Sequence, residues 1–352
     1  MKPLPLRILG LMSGTSLDGL DLCLALFDSN EGGRWTFDIL AAETLPYDLA
    51  WTHKLQQAHA LGALDFVALH KEYGALLGNR AAHFLRSRHL GADYVASHGH
   101  TIFHQPQRGV TFQLGDGAAL AAAAGLPAIS DFRSLDVALG GQGAPLVPAG
   151  DRLLFGAYER CLNLGGFANI SFEQAGQRVA FDVCPCNIAL NALSQTLGTP
   201  YDRDGAFAAQ GSVNGALLDE LNAIDFYAQR GAKSLGREWV EQVFFPKIAA
   251  CSLSPHDRLR TVCEHVAMQV ARCSGSGTLL ATGGGALNAF LMQRIADLSP
   301  CRVVIPEALV VNFKEALIFA FLGALYVCNE INTLASATGA KRSSIGGCLS
   351  KN

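Results

Sequence analysis

The 352 residues hold no long run of one charge, no uninterrupted apolar stretch of membrane length and no second Cys/His pair at zinc-finger spacing. Each absence closes a class. With Lys+Arg 27 against Asp+Glu 30 the formal net charge is −3, so no basic field is present to draw nucleic acid or an anionic membrane surface. No nucleic-acid and no membrane partner is therefore expected, and a small molecule is. The run Ile8-Leu9-Gly10-Leu11-Met12 behind Lys2 and Arg7 ends after five positions. A secretion signal needs about 7–15 apolar residues and a small-residue cleavage site, so a cytoplasmic location is expected. The ten cysteines are scattered and often sit inside apolar runs such as Leu22-Cys23-Leu24, which reads as reduced, buried thiols. Cys184-Pro185-Cys186 is a tight pair, but without a partner pair no metal site is expected.

What is present is core. Half the residues are apolar, and the length points to two domains. Leu6 to Phe27 is an apolar run, a Ser/Gly turn at 13–19, and Leu20, Leu22, Leu24 and Leu26 at period two. That is a hairpin of two strands. Cys161 to Phe172 repeats the plan around Gly165-Gly166, so two related α/β domains are expected. Between the hairpins lie an Ala-rich helix over 67–90, a strand over 94–97 running into a His-rich turn, and a short helix over 115–125. Gly125-Leu126-Pro127 is read as a domain crossing, and Gly140 to Pro145 as a loop lining the substrate. The second half predicts an amphipathic helix over 259–273 and a buried strand over 278–282. After Gly283-Gly284-Gly285 comes a helix with Leu287, Phe290, Leu291, Ile295 and Leu298 on one face. A helix over 315–329 and a loose tail after Leu334 complete the chain.

A phosphate chain needs converging N–H donors at close range, which glycine-permitted backbone supplies. Gly14-Thr15-Ser16-Leu17-Asp18-Gly19 meets that need, and so do the second hairpin tip and the triple glycine. None is a Walker A loop, since no Gly-Lys-Ser/Thr follows, and none is a Rossmann turn. Each alone also fits an ordinary turn. Asp182, after the strand Arg178 to Phe181 and before a Pro turn, is placed for a general base or for a helix N-cap. His98, His100 and His104 read as a turn that satisfies backbone or a sugar hydroxyl, and Arg133 pairs either a substrate carboxylate or Asp131 or Asp136.

Gly10 to Asp21, with Met12-Ser13-Gly14-Thr15-Ser16-Leu17-Asp18-Gly19 at its centre, resembles the opening signature of the anhydro-N-acetylmuramic acid kinase family. Further matching blocks follow in family order: His98-Gly99-His100-Thr101, Phe112 to Asp116, Ser130 to Arg133, Gly140 to Pro148 with Asp151, Asn163 to Asn169, Gly236 to Glu238, Thr282 to Asn288 and Glu315-Ala316. The resemblance implies two ribonuclease-H-like domains of the actin and hexokinase superfamily, 1–128 with 314–352 and 129–313, with ATP and Mg²⁺ in an interdomain cleft. It also implies an amino-sugar substrate, murein recycling and a homodimer. By the same likeness Asp182 is the base, and Met12 to Gly19, Gly165, Gly166, Gly283, Gly284, Gly285 and Asn288 meet ATP. Thr101, Arg133 and Glu315 meet the sugar. The chain departs from the family pattern after the base, where Val183, Cys184 and Cys186 replace Thr and two Gly, and at His100, which replaces Gln.

Overall fold

The computed structural model describes residues 4–14, 17–30, 32–229, 231 and 233–351. The chain divides into two compact units, Met1–Leu154 with Phe313–Asn352, and Phe155–Asn312.

In the first unit β1 (Leu6–Ser13) and β2 (Gly19–Ser29) form the expected hairpin, and β3 (Trp35–Pro46) extends it antiparallel. Leu6, Ile8, Leu9 and Leu11 are all 0–1% exposed, because β1 is central and covered on both faces. β4 (Tyr94–Gln105) lies parallel to β1, and β6 (Ala128–Ser130) lies parallel to β4. The order is thus β3-β2-β1-β4-β6, with the carboxy-terminal strand Cys348–Ser350 on the far edge and β5 (Val110–Leu114) folded back on β4.

Helix Ala63–Ser87 packs on one face through Leu69, Tyr73, Leu77 and Phe84. Helix Ala308–Cys328 is long and apolar enough to cross a membrane by composition, yet Ala316 to Leu322 are each at most 2% exposed. It approaches β1 so closely that a Cβ at Gly10 would collide with the Ala316 carbonyl oxygen. Its Lys314 is buried as an ion pair with Asp151 at 2.7 Å.

The second unit repeats this order in β9-β8-β7-β10-β11, over Gln177–Pro185, Phe167–Gln174, Arg160–Leu164, Thr278–Thr282 and Arg302–Val304. Three antiparallel strands followed by two parallel ones is the ribonuclease-H-like plan, so the mixed α/β fold with two such units stands. Helix Pro255–Ser274, capped by Ser254, buries Leu259, Val262, Cys263, Val266 and Val270 at helical spacing against the sheet core.

Four expectations differ. The His-rich segment is strand, since Thr101 pairs with Gln113 and His104 with Thr111. The first division falls at 154/155 rather than 128/129, because Ala128–Ser130 pairs within the first sheet. The tail is ordered: Asn332 donates to the Leu322 and Gly346 carbonyls, and Cys348–Ser350 pairs with β6. After Gly283, a 3₁₀ turn over Gly284–Leu287 precedes helix Ala289–Leu298, which leaves Leu287 half exposed instead of on the buried face with Leu291 and Ile295.

Candidate functional site

The second unit carries a row of polar side chains across its sheet. Thr282 pairs with Asn163, Asn163 with Asn169, and Asn169 with Asp182, so the four point to one face. The other face is the core of Leu162, Leu164, Ala168 and Ile170. A bulge sits beside this row, at Val183, between the Ala168–Cys184 and Asn169–Asp182 pairs. Such a bulge re-aims a side chain. Asp182 therefore lies inside β9, not at its end, and the helix cap that sequence offered it falls instead at Cys186.

Two backbone groups hold Asp182. Its amide donates to the Lys233 carbonyl at 2.9 Å, and its Oδ2 accepts the Leu235 N–H at 2.8 Å. The Lys233 ammonium donates to the Phe226 carbonyl at 3.0 Å and lies 4.4 Å from the Phe226 ring centroid. Partial burial raises the carboxyl above its ordinary range, and the Leu235 hydrogen bond opposes part of that rise. A half-buried carboxylate with one oxygen fixed is suited to accept a proton on the other.

The Gly165-Gly166 turn sits on the start of helix Asn187–Gln195, taking N–H bonds from Cys186, Asn187 and Ile188 on its carbonyls. The Asn187 amide donates to the Leu164 carbonyl at 3.0 Å. A Cβ added at Gly166 would meet nothing within 4 Å, and one at Gly284 only Asn187 Nδ2 at 3.7 Å. Neither has positive φ, so the fold itself does not demand glycine at these two positions. Gly283 and Gly285 differ, since a Cβ there would press on Asn163 Oδ1 or the Leu164 side chain. Beside them opens a cavity of about 500 Å³ lined by Asn187, Leu190, Arg203, Gly284, Leu287 and Asn288 among others. Asn288 caps helix Ala289–Leu298, its Oδ1 accepting the Leu291 N–H. The volume suits a nucleoside and the bare backbone suits phosphate, which is the fit ATP requires.

In the first unit Thr15 and Ser16 lie outside the described residues. The Leu17 N–H closes a turn on the Gly14 carbonyl at 3.3 Å with φ 61°, a left-handed conformation costing a leucine about 1–2 kcal/mol. Asp18 is exposed at the turn, and Gly19 is buried where β2 begins. Met12 faces Asp21 across the hairpin, and Asp21 faces Thr44. The Ser13 hydroxyl is buried, bonded to His100 Nδ1 at 2.9 Å and to Tyr47 at 2.8 Å, so it is engaged within the unit.

Thr101 Oγ1 accepts Gln113 Nε2 at 3.4 Å. Arg133 is held by His98 and the Gly143 carbonyl, not by Asp131 or Asp136. Those two carboxylates take Ser134 and the Gly143 N–H with Thr338. Glu315 is half-buried and makes no hydrogen bond among the described residues. Burial and the Asp21 carboxylate raise it, against Arg133 and Lys314. An arginine and a carboxylate near each other, with neither closing on the other, leave both free for a polar ligand.

Asn169, Asp21 and the Leu235 N–H were not singled out from sequence, and His98, read there as satisfying backbone or a sugar hydroxyl, turns out to hold Arg133. The pair Asn163 and Asn169, flanking the Gly165-Gly166 turn, was the available signal. The departures after the base also find their place. Val183, Cys184 and Cys186 are 0–2% exposed within the core cluster. They fill the face opposite Asp182, and burial pushes the Cys186 thiol up to about 12, so both thiols are inert packing. Among the described residues no group of three His, Cys, Asp or Glu is arranged to hold a metal.

Two units of one ribonuclease-H-like plan, with a glycine-bearing hairpin turn on each and a fixed carboxylate on the second, are the arrangement of an enzyme with bare backbone for phosphate and a base for proton transfer. The chain belongs to the anhydro-N-acetylmuramic acid kinase family, whose model matches residues 6–351. It is 36% identical to the anhydro-N-acetylmuramic acid kinase of Vibrio cholerae, covering 95% of each chain. It is 35% identical to that of Pseudomonas paraeruginosa, covering 97% of this chain and 98% of the relative. A crystal structure of Acidaminococcus fermentans (R)-2-hydroxyglutaryl-CoA dehydratase component A superposes with a TM-score of 0.47 at 12% identity, over 90% of this chain and 96% of that one.

Proposed function

We propose that this enzyme hydrolyses the 1,6-anhydro bond of anhydro-N-acetylmuramic acid and phosphorylates the freed O6 from ATP, giving N-acetylmuramic acid 6-phosphate and ADP, as a step of cell-wall recycling. The observation that carries the proposal is the Asp182 carboxylate, fixed by Leu235 on the polar face of the Asn163–Asn169–Asp182 row.

Asp182 takes the proton of a water attacking the anomeric carbon. Burial raises its basicity, which favours that transfer. Inverting glycosidases pair such a base with an acid that protonates the leaving oxygen. Here the leaving O6 is captured by the γ-phosphoryl group of ATP, so one carboxylate suffices. Gly166 and Gly284 leave room for phosphate oxygens beside backbone N–H groups, and the adjoining cavity takes the nucleoside. In the first unit the backbone of Met12 to Gly19 supplies further phosphate donors, and Thr101, Arg133 and Glu315 hold the sugar. Arg133 matches the lactyl carboxylate, because a guanidinium fork binds a carboxylate through two parallel bonds.

Mg²⁺ supplies charge neutralisation on the phosphates. Such a cation is commonly held by one or two carboxylates plus substrate oxygens. A cytoplasmic homodimer completes the proposal. The test is incubation with Mg·ATP and the anhydro sugar: sugar phosphate and ADP must appear together, one for one. ATP binding without product would overturn the reading.

A further inference from the structure

We infer that His98 is a positioning residue, holding the Arg133 guanidinium so that one edge faces a carboxylate on the sugar. The inference rests on the reading of Arg133 given above and adds the group that sets its geometry.

Arg133 carries five N–H donors. Nε and Nη2 both reach His98 Nε2, at 3.0 and 2.8 Å, and Nη1 reaches the Gly143 carbonyl at 2.6 Å. Three donors are thus spent, and one N–H remains on each terminal nitrogen, the number a bidentate carboxylate takes. Among the described residues Arg133 makes no ion pair, although Glu315 and Asp136 are near enough to favour its charge.

The neighbours of His98 dictate its tautomer. Its Nδ1 lies 2.9 Å from the Gly99 carbonyl, which only accepts, so Nδ1 carries the hydrogen. Arginine only donates, so Nε2 offers its lone pair and the ring is neutral. Burial and the Arg133 charge, acting together, hold its pKa well below the ordinary histidine value. The Phe319 ring packs on the imidazole at 4.6 Å between centroids and fixes its plane. β4 places His98 opposite neither solvent nor sheet edge: it is 5% exposed. A buried imidazole that is locked in one tautomer and spends its lone pair on an arginine is a device for orienting that arginine.

The test compares the anhydro sugar acid with its lactyl amide, equal in shape and lacking the charge, as substrate or competing ligand. Wild type should favour the acid. His98→Phe removes the acceptor and should reduce that preference about tenfold, through the acid's KM or inhibition constant, with the amide's unchanged. His98→Gln, whose amide oxygen reaches the place of Nε2, should restore most of it. Should His98→Phe not fold, His98→Asn, too short to reach Arg133, replaces it. If Arg133→Gln abolishes the preference while the His98 variants keep it, the positioning role is wrong and the Arg133 reading stands. If Arg133→Gln leaves the preference intact, or wild type has none, the Arg133 reading itself fails. Equal losses for acid and amide in His98→Phe would mean a merely structural role.

Discussion

Leu235 donates its backbone N–H to Asp182 Oδ2 at 2.8 Å, and Asp182 in turn donates its own N–H to the carbonyl two residues earlier, on Lys233. The carboxylate is therefore fixed by one oxygen, with burial raising its pKa more than this bond lowers it. A base works only when deprotonated. Activity should accordingly fall as pH drops through a value above the ordinary carboxylate range, with a slope of one proton. The pH profile of kcat/KM for the anhydro sugar checks this, and an acid limb at or below the range of a free aspartate would contradict it.

The glycines separate into two kinds. A Cβ at Gly166 or Gly284 enters open space, so Gly166→Ala and Gly284→Ala should melt close to wild type yet raise the KM for ATP about tenfold. Gly283 has φ 81° and its Cβ would lie 2.5 Å from Asn163 Oδ1, so Gly283→Ala should cost about 1–3 kcal/mol of stability. Urea titration beside ATP kinetics distinguishes the two kinds.

His265 is wholly buried, with Nδ1 on Asn222 at 2.9 Å and Nε2 on the Tyr227 hydroxyl at 3.0 Å. Burial, with the Arg272 charge, lowers its pKa to about 3. The unfolded chain takes up this proton below about pH 6.5 while the folded chain does not, so the histidine makes stability fall as pH drops from about 6.5 toward 3. Raised carboxylates such as Asp182 act in the opposite sense, which makes a single-site comparison necessary. Between pH 6 and 4, His265→Gln should lose stability less steeply than wild type, by about 1.4 kcal/mol per pH unit. Chemical denaturation at those two pH values reads the difference.

Val183, Cys184 and Cys186 fill the core behind the base. Val183→Thr, which restores the family residue, should change turnover less than about threefold while costing about 1–3 kcal/mol from an added buried hydroxyl. A large gain in kcat would show that the departure bears on the chemistry.

The two hairpins were legible because alternation around a glycine turn has one local solution, and the strands at 6–13, 161–164 and 278–282 formed as their apolar runs dictate. The His-rich strand was not. Its pairing with Val110–Leu114 is a tertiary fact, and Gly99 and three histidines disguise a strand whose residues His98 and His100 are buried by neighbours far away in sequence. The ordered tail failed the same way, since Asn332 is anchored by partners on Leu322 and Gly346 that composition does not reveal. Asp182 could be chosen from sequence as a carboxylate near a turn. What gives it direction is the bulge at Val183, set by the pairing of β9 with β8, and the Leu235 clamp, which comes from a segment more than fifty residues further on.

The most direct test is the turnover of Asp182→Asn on the anhydro sugar with saturating Mg·ATP, alongside its affinity for ATP. Loss of about 100-fold or more in product formation with nucleotide affinity retained is the predicted result. Turnover equal to wild type would mean that Asp182 does not activate the water.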